Sequence, residues 1–369
     1  MTSNKTRYDT EPALGRTLLE DMRRGDLRQT IRRDYLELKL FILNEEQHKK
    51  LKEMNRVKRF LHLSWWLLKS LLLKLTPARR ILLAIGLLLL LFQDNVTFGG
   101  SDVRVNFNFN VLSALILVFV LMLELKDKLL AREELEAGQA IQKALMPQRS
   151  PEVPGWRLWL FTRSANEVGG DLVDFITLSK TKFGVTVGDV AGKGLRAALL
   201  TAKLQATMRA LVTDFSSLSE FGAKLNQIFN RDSLPNLFAS LLYVEFLTDS
   251  DTVRFVNAGH IPPVVLRGTT VQKMEKGDAA LGLLPAATFS EHTVKMNRED
   301  ILLTYSDGLT DAQNEFGEFF GEQRLLDLLP QFRGLSTEQI GENLISALDR
   351  FVGQAKASDD VSIAILKRL

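Results

Sequence analysis

The chain has 369 residues, 46% of them apolar and 25% charged, which is room for about two domains plus connecting helices around a sizeable core. It has no cysteine and four histidines, His48, His62, His260 and His292; disulfides, thiolate zinc sites and a cysteine nucleophile are excluded, and any metal must lean on carboxylates. The net charge of +3 conceals an asymmetry: residues 1–80 hold 19 Lys/Arg against 10 Asp/Glu (+9), and the remainder holds 28 against 34 (−6).

A basic segment beside a hydrophobic one points to anionic membrane lipid as a partner and away from nucleic acid. The plainer alternative is a solvated basic helical surface. No cleavable signal peptide is expected, since about 60 polar residues precede the first apolar run. Residues 12–60 read as helical, and residues 1–75 as a whole as a basic helical N-terminal region. Apolar runs then cover Leu61–Leu73, broken by Lys69, and Ile81–Phe92. A polar turn holds Gln93-Asp94-Asn95 and Gly99-Gly100-Ser101-Asp102, and Val105–Leu123 carries no charge.

The first of the two later runs is shorter than the roughly 20 residues of a spanning helix, and the second is marginal. Arg79 and Arg80 precede one and Lys126 and Lys128 follow the other, so both ends face the cytoplasm by the positive-inside rule. The expectation is a two-helix membrane hairpin over 76–125, with a buried helical pair or a re-entrant segment as the alternative. Residues 126–147 form a linker helix ending at Pro147. Its stripe of Leu129, Leu135, Ile141 and Leu145, begun by Leu125, suits homodimer pairing or packing on the next domain.

From residue 148 to 369 the texture changes to short β-branched and aromatic runs, Gly-rich turns and two helices near 194–213 and 218–231, an α+β domain with much antiparallel sheet. Four aspartates share a placement there. Asp189 falls in phase with Phe183, Val185 and Val187; Asp307 with Ile301, Leu303 and Tyr305; Asp359 with Val361, Ile363 and Ile365; Asp171 with Val173 and Phe175. On strands, each points to an apolar side. Unpaired carboxylates so placed are costly, and no Lys or Arg shares their phase. Two hard divalent ions, Mn²⁺ or Mg²⁺, are the economical answer, although an isolated Asp beside Gly is commonly a turn or cap residue. Gly169, Gly170, Gly188 and Gly308 would let backbone approach the ions. Gly192-Lys193-Gly194 precedes a helix, a place for an anion, but its spacing is not that of a P-loop.

These residues resemble the SpoIIE-like branch of the metal-dependent (type 2C, PPM) protein serine/threonine phosphatases, over roughly residues 130–369. Glu136-Ala137 through Ile141-Gln142 and Leu145-Met146-Pro147 looks like the helical lead-in of that branch. Glu167-Val168-Gly169-Gly170-Asp171 looks like its first acidic motif, and Gly188-Asp189-Val190-Ala191-Gly192-Lys193-Gly194 its second. Asn257-Ala258-Gly259-His260 with Pro262-Pro263, Ser306-Asp307-Gly308 and Asp359-Asp360-Val361 follow in the family's order. Leu172-Val173 and Ser306 depart from its usual residues without touching a proposed ligand.

The resemblance implies a PPM-type β-sandwich of two antiparallel sheets flanked by helices. It implies that Asp189 bridges two Mn²⁺ or Mg²⁺ ions with help from the Val190 carbonyl, that Asp307 and Asp359 hold one ion, and that Asp171 serves the other. It implies hydrolysis of phosphoserine or phosphothreonine, with a phosphorylated STAS-domain, anti-anti-sigma-like protein as substrate in a bacterial partner switch. The apolar runs and their flanking charges, in turn, place the chain at the bacterial cytoplasmic membrane with the catalytic domain in the cytoplasm. Helices leading into the phosphatase domain resemble switch elements that order the metal site. His260 invites a general-acid role but reads better as a turn residue satisfying neighbouring backbone; Arg163 and Lys193 are possible phosphate contacts or plain surface charge. The rival readings are a non-catalytic metal-binding scaffold and a small-molecule phosphohydrolase.

Overall fold

The alternation in residues 183–189 is realised as a strand whose neighbours build one of two stacked sheets. The computed structural model describes residue 47, residues 50–51, 54–91, 96–98, 105–107, 109–233 and 237–369. Most of the basic N-terminal region, His48 and the polar turn residues 93–95 and 99–102 therefore lie outside the described residues. The chain divides into two units, Met1–Lys128 and Leu129–Leu369.

In the first unit, helix α1 spans Arg56–Lys74 and α2 spans Pro77–Leu89. Pro77 at the start of α2 lacks the N–H that would continue α1. The Arg80 guanidinium closes the break by donating to the carbonyls of Leu72, Leu73 and Leu75 at 3.0–3.1 Å. Strands β1 (Val96–Phe98) and β2 (Val105–Phe107) pair antiparallel. The expectation of helix from Val105 is corrected here: Val105-Asn106-Phe107 alternates with period two, the pattern of a strand. Helix α3 then runs unbroken over Phe109–Leu145, so the second apolar run leads straight into the linker within one helix. Nothing between them breaks it, since residues 109–145 contain no proline and only Gly138.

Helices α2 and α3 touch where side chains are small. Buried Ser113 donates to the Gly86 carbonyl at 2.6 Å, and a Cβ on Gly86 would lie 3.1 Å from Leu117. Arg79 pairs with Glu124 and Asp127 at 2.8 and 2.7 Å.

The second unit stacks two five-stranded antiparallel sheets. One has the order β10-β7-β6-β5-β4, with β4 Asp171–Thr177, β5 Lys182–Val190, β6 Ala239–Leu247, β7 Thr252–Ala258 and β10 Glu291–Lys295. The other has the order β3-β12-β11-β8-β9, with β3 Trp156–Arg163, β8 Val264–Arg267, β9 Thr270–Lys273, β11 Ile301–Tyr305 and β12 Val361–Arg368. Between them lie Trp156, Leu158, Val185, Val187, Leu242, Val244, Phe255, Leu302, Ala364 and Leu366.

Alternate residues of the same strands face outward onto helices. Helices α4 (Leu195–Leu211) and α5 (Leu218–Asp232) cover the first sheet through Leu204, Met208, Phe221, Leu225 and Tyr243. The second sheet is covered by α7 (Glu322–Leu328) and α8 (Thr337–Val352) through Trp159, Leu325, Leu344 and Ile363. Both faces of each sheet are thus buried, which accounts for strands as uniformly apolar as β11 and β12.

Candidate active site

The acidic residues gather at one end of the sandwich, where β4 and β12 begin and β5 and β11 end. Asp171 is the first residue of β4 and Asp189 the penultimate residue of β5; the register sets them directly opposite one another. Like charges in that position repel at close range. Asp171 is buried, 7% exposed, and its Oδ2 has no hydrogen-bond partner. Burial raises its pKa well above the usual carboxylate range; the Ser362 and Ser306 hydroxyls oppose this, so Ser306, contrary to the sequence reading, does touch a proposed ligand, while Asp189 and Asp360 add to the rise. Asp189 is pushed up to about 7, first by burial and then by the charges of Asp307, Asp359 and Asp360, with Lys193 pulling the other way.

Asp307 and Asp359 are brought to the same end, but not as strand residues. Strand β11 stops at Tyr305, and Asp307 opens the short helix α6, Asp307–Thr310. Strand β12 starts only at Val361. The strand phase expected of these two aspartates therefore does not hold, because each lies beyond the end of its strand. Nor do the four phases share one side. Ile301, Leu303 and Tyr305 face the helices, as do Val361, Ile363 and Ile365, whereas Val173, Val185 and Val187 face the other sheet. Both aspartates are exposed, and they reach the site because the chain turns. Although its side chain is open to solvent, crowding by surrounding protein atoms and then the charges of Asp359 and Asp311 raise Asp307.

Asp360, passed over in the sequence, is the buried clamp of the site. Its Oδ1 accepts from Ala165 N and its Oδ2 from Gly170 N, both at 2.7 Å. It thereby fixes the backbone that presents Asp171. Ser306 Oγ accepts from Ser362 N at 2.9 Å and donates to the Asp360 carbonyl at 3.2 Å, tying α6 to the start of β12. The glycines serve these close approaches. A Cβ on Gly308 would lie 1.9 Å from the Asp360 carbonyl oxygen, and one on Gly170 2.8 Å from the Val190 carbonyl oxygen. The Gly170 carbonyl also accepts from Val190 N and from Thr201 Oγ1 of α4, at 3.2 and 2.6 Å.

Helix α3 reaches the same strand end. The Gln142 amide donates to the Gly169 carbonyl at 2.9 Å and accepts from Gly169 N at 3.2 Å. Gln205 of α4 donates to the Leu145 carbonyl at 3.0 Å. Lys193 donates to the Ser358 carbonyl at 2.7 Å and lies 3.6 Å from Asp359. Arg163 pairs with Asp349 at 2.8 Å. His260 is buried in a turn clamped by Asn257, which exchanges two hydrogen bonds with the His260 backbone at 2.8 and 3.1 Å. Its ring meets the Ser240 hydroxyl at 3.0 Å, and the Tyr305 backbone, of the kind expected from the sequence, also acts on it. Burial holds the imidazole at about 4, so it is neutral at pH 7 and poorly suited to donate a proton to a leaving group. His62 is exposed on α1 and His292 stacks on Phe255.

Among the described residues, no group of three or more His, Asp or Glu side chains forms a ready-made ion site. The chemistry of the donors nevertheless suits a hard cation. An orphaned buried carboxylate oxygen, two aspartates opposed across a ladder and two more within electrostatic range all gain from positive charge.

Comparison with known proteins agrees with this geometry. The profile of the stage II sporulation protein E (SpoIIE) family matches residues 179–369, more than half of the chain. The chain is 27% identical over 275 residues to protein IcfG of Synechocystis sp., covering 66% of this chain and 43% of IcfG. It is 21% identical to the phosphoserine phosphatase RsbU of Bacillus subtilis, covering 64% of this chain and 70% of RsbU. Among solved structures, the SiaA PP2C domain of Pseudomonas aeruginosa superposes with a TM-score of 0.58 at 19% identity, covering 66% of this chain and 98% of that domain. The SpoIIE phosphatase domain of Bacillus subtilis with a fragment of its regulatory domain gives 0.50 at 16% identity, covering 58% and 64%. The fold of the second unit is thus the PP2C type.

Proposed function

Because the chain belongs to the stage II sporulation protein E (SpoIIE) family, we propose that it is a metal-dependent protein phosphatase acting on phosphoserine or phosphothreonine of a regulatory protein. The observation that carries this reading is the opposed pair Asp171 and Asp189 with Asp307 and Asp359 in electrostatic range. Asp189, with the Val190 carbonyl, would serve two ions; Asp307 and Asp359 would hold one and Asp171 the other. Bound Mn²⁺ or Mg²⁺ would supply a water activated at neutral pH and positive charge for the phosphoryl oxygens.

The chain's own residues do the rest. Asp360 and Gln142 hold the backbone around Gly169 and Gly170, so Asp171 is presented in one position. Ser306 and Ser362 bond to each other and lie beside the Asp171 carboxylate, favouring its ionised form. The neutral His260 leaves proton transfer to water. A phosphorylated STAS-domain protein is the substrate class this reading favours, in keeping with RsbU being a phosphoserine phosphatase. Residues 76–125 are read as the membrane hairpin and 126–147 as the switch and dimer helix, with residues 148–369 as the catalytic domain on the cytoplasmic side.

The test is hydrolysis of an aryl phosphate and of a phosphorylated STAS protein from the same genome. Turnover is expected with Mn²⁺ or Mg²⁺ and absent in chelator. Full turnover in chelator overturns the reading.

A further inference from the structure

Beside the acidic site, the chain displays two leucines on a turn that is held in place from beneath. Leu281 is fully buried, but Leu283 and Leu284 are 57% and 54% exposed. The change of direction occurs at Gly282, whose φ of +85° suits glycine; a Cβ there would also lie 2.7 Å from Phe229. The turn is pinned by Asn226, a buried residue of α5. Its side chain accepts from Gly282 N at 2.9 Å and donates to the carbonyls of Leu284 and Pro285 at 2.9 and 3.3 Å. Leu283 N bonds to the Ala280 carbonyl at 3.2 Å, and Ala287 N to the Leu284 carbonyl at 3.2 Å. A buried asparagine committed to three backbone bonds holds this loop in one shape, so the outward leucines are presented by construction.

The turn is continuous with the candidate site. Leu281 and Ala239 exchange both backbone hydrogen bonds at 2.9 Å, and Ala239 pairs with Val190 in the ladder that pairs Ser240 with Asp189. Phe238, next in register along that bridge and 42% exposed, accepts through its carbonyl from Ala191 N at 2.9 Å. Phe238, Leu283 and Leu284 are thus three exposed apolar residues, here called the ridge, on two segments joined by backbone bonds to the strand end that carries Asp189 and Val190. Single exposed apolar residues are ordinary, but a preorganised cluster beside a reaction centre is not.

We infer that this ridge is a docking surface for the phosphoprotein substrate, engaging an apolar patch on that protein while its phosphoserine enters the acidic site. The inference rests on the phosphatase reading given above. A second copy of this chain is the weaker occupant, because three side chains fall far short of the ~1,200 Å² that a stable interface buries. A protein substrate, held only for one turnover and anchored also by its phosphate, needs no more. A small phosphate ester has nothing to place on the ridge, so the surface separates protein from small-molecule substrates.

The full chain in detergent, with Mn²⁺, is assayed on p-nitrophenyl phosphate and on a phosphorylated STAS protein from the same genome. Wild type is compared with Phe238→Ser and with the double variant Leu283→Ser/Leu284→Ser. The expected result is a fall of at least about tenfold in kcat/KM for the phosphoprotein, mostly in KM, with aryl phosphate turnover and the Mn²⁺ requirement unchanged. Phosphoprotein kcat/KM within about twofold of wild type overturns the docking surface alone. So does a parallel loss on both substrates, or a change from dimer to monomer by light scattering, which would assign the ridge to self-association. A wild type active only on the aryl phosphate overturns it as well, and one that hydrolyses neither substrate overturns the phosphatase reading together with it.

Discussion

Asp189 carries the largest electrostatic burden of the site, being opposed to Asp171 and within range of Asp307, Asp359 and Asp360. Asp189→Asn is expected to act in two directions. Without metal it relieves repulsion and raises the melting temperature; with Mn²⁺ it removes the shared ligand, so turnover falls by at least about 100-fold and the metal-induced rise in melting temperature disappears. Turnover and melting curves with and without Mn²⁺ check both signs. The same charges predict a pH dependence. The folded pKa of Asp189, about 7, and the raised values of Asp171 and Asp307 lie above the unfolded value near 3.8. Such groups contribute stability that is fully present below about pH 4 and is lost as pH rises through about 7. The metal-free protein should therefore lose melting temperature between about pH 4 and 7, and Mn²⁺, which requires ionised ligands, should restore it increasingly over that window. A flat metal-free profile would contradict the crowding of carboxylates. Asp189 was legible in the sequence because it sits inside a strand whose alternation is unbroken, whereas Asp171 opens β4, where Leu172-Val173 and Phe175-Ile176 interrupt the alternation and the Gly169-Gly170 before it gave the clearer signal. Asp307 and Asp359 were legible through motif order alone, since they lie past the ends of the strands whose phase pointed to them. Asp360 was not legible, because its partners, Ala165 N and Gly170 N, lie 195 and 190 residues away in the chain.

At the scale of elements, the same division between local and distant causes appears. Helices α4 and α5 lie close to the ranges read from periodicity, since apolar spacing and the Ser217 cap are local signals. The apolar run and the linker form one helix, because charge composition changes there without any change in backbone preference. That continuity gives α3 a mechanical role. Its residue Gln142 exchanges two hydrogen bonds with Gly169, two residues before Asp171. Gln142→Ala should remove an amide clamp worth roughly 1–2 kcal/mol in all, raising the Mn²⁺ concentration for half-maximal turnover about tenfold while leaving the melting temperature of the metal-free protein within a few degrees. Insertions of one to four residues near Gly138 should alter activity with a period of about 3.6 residues, as expected when a helix sets the angle at which Gln142 arrives. Activity that ignores the insertions would make α3 a tether.

On the scale of the whole molecule, the question is what surrounds the apolar faces of the first unit. Helix α3 is long and apolar enough to cross a membrane and is the one such helix among the described residues. Over its first half Val111, Leu115, Val118, Phe119, Leu121 and Met122 are exposed, a surface that water would not tolerate and lipid would. Helix α2 has 13 residues, about 20 Å at about 1.5 Å per residue, against a hydrocarbon core of ~30 Å. It fails to span by itself, yet it is bound along α3: Gly86 and Ser113 allow close contact, and Arg79 meets Glu124 and Asp127. That ion pair brings the start of α2 level with the charged middle of α3, so Arg79, Arg80, Lys126 and Lys128 share one end, as the positive-inside rule requires of a hairpin with both ends cytoplasmic. Neighbouring α1 and local thinning of the bilayer would make up the missing length. The protein should therefore resist extraction by alkaline carbonate. Reporter fusions at Ser101, between the two apolar runs, and at the C-terminus should report opposite sides of the membrane. Gly86→Leu, which forces the two helices apart, should reduce the fraction of molecules with Ser101 exported. Reporters at both positions on the cytoplasmic side would show α2 and α3 to be re-entrant, and recovery of the whole chain in the carbonate supernatant would show their apolar faces to be covered by protein instead of lipid.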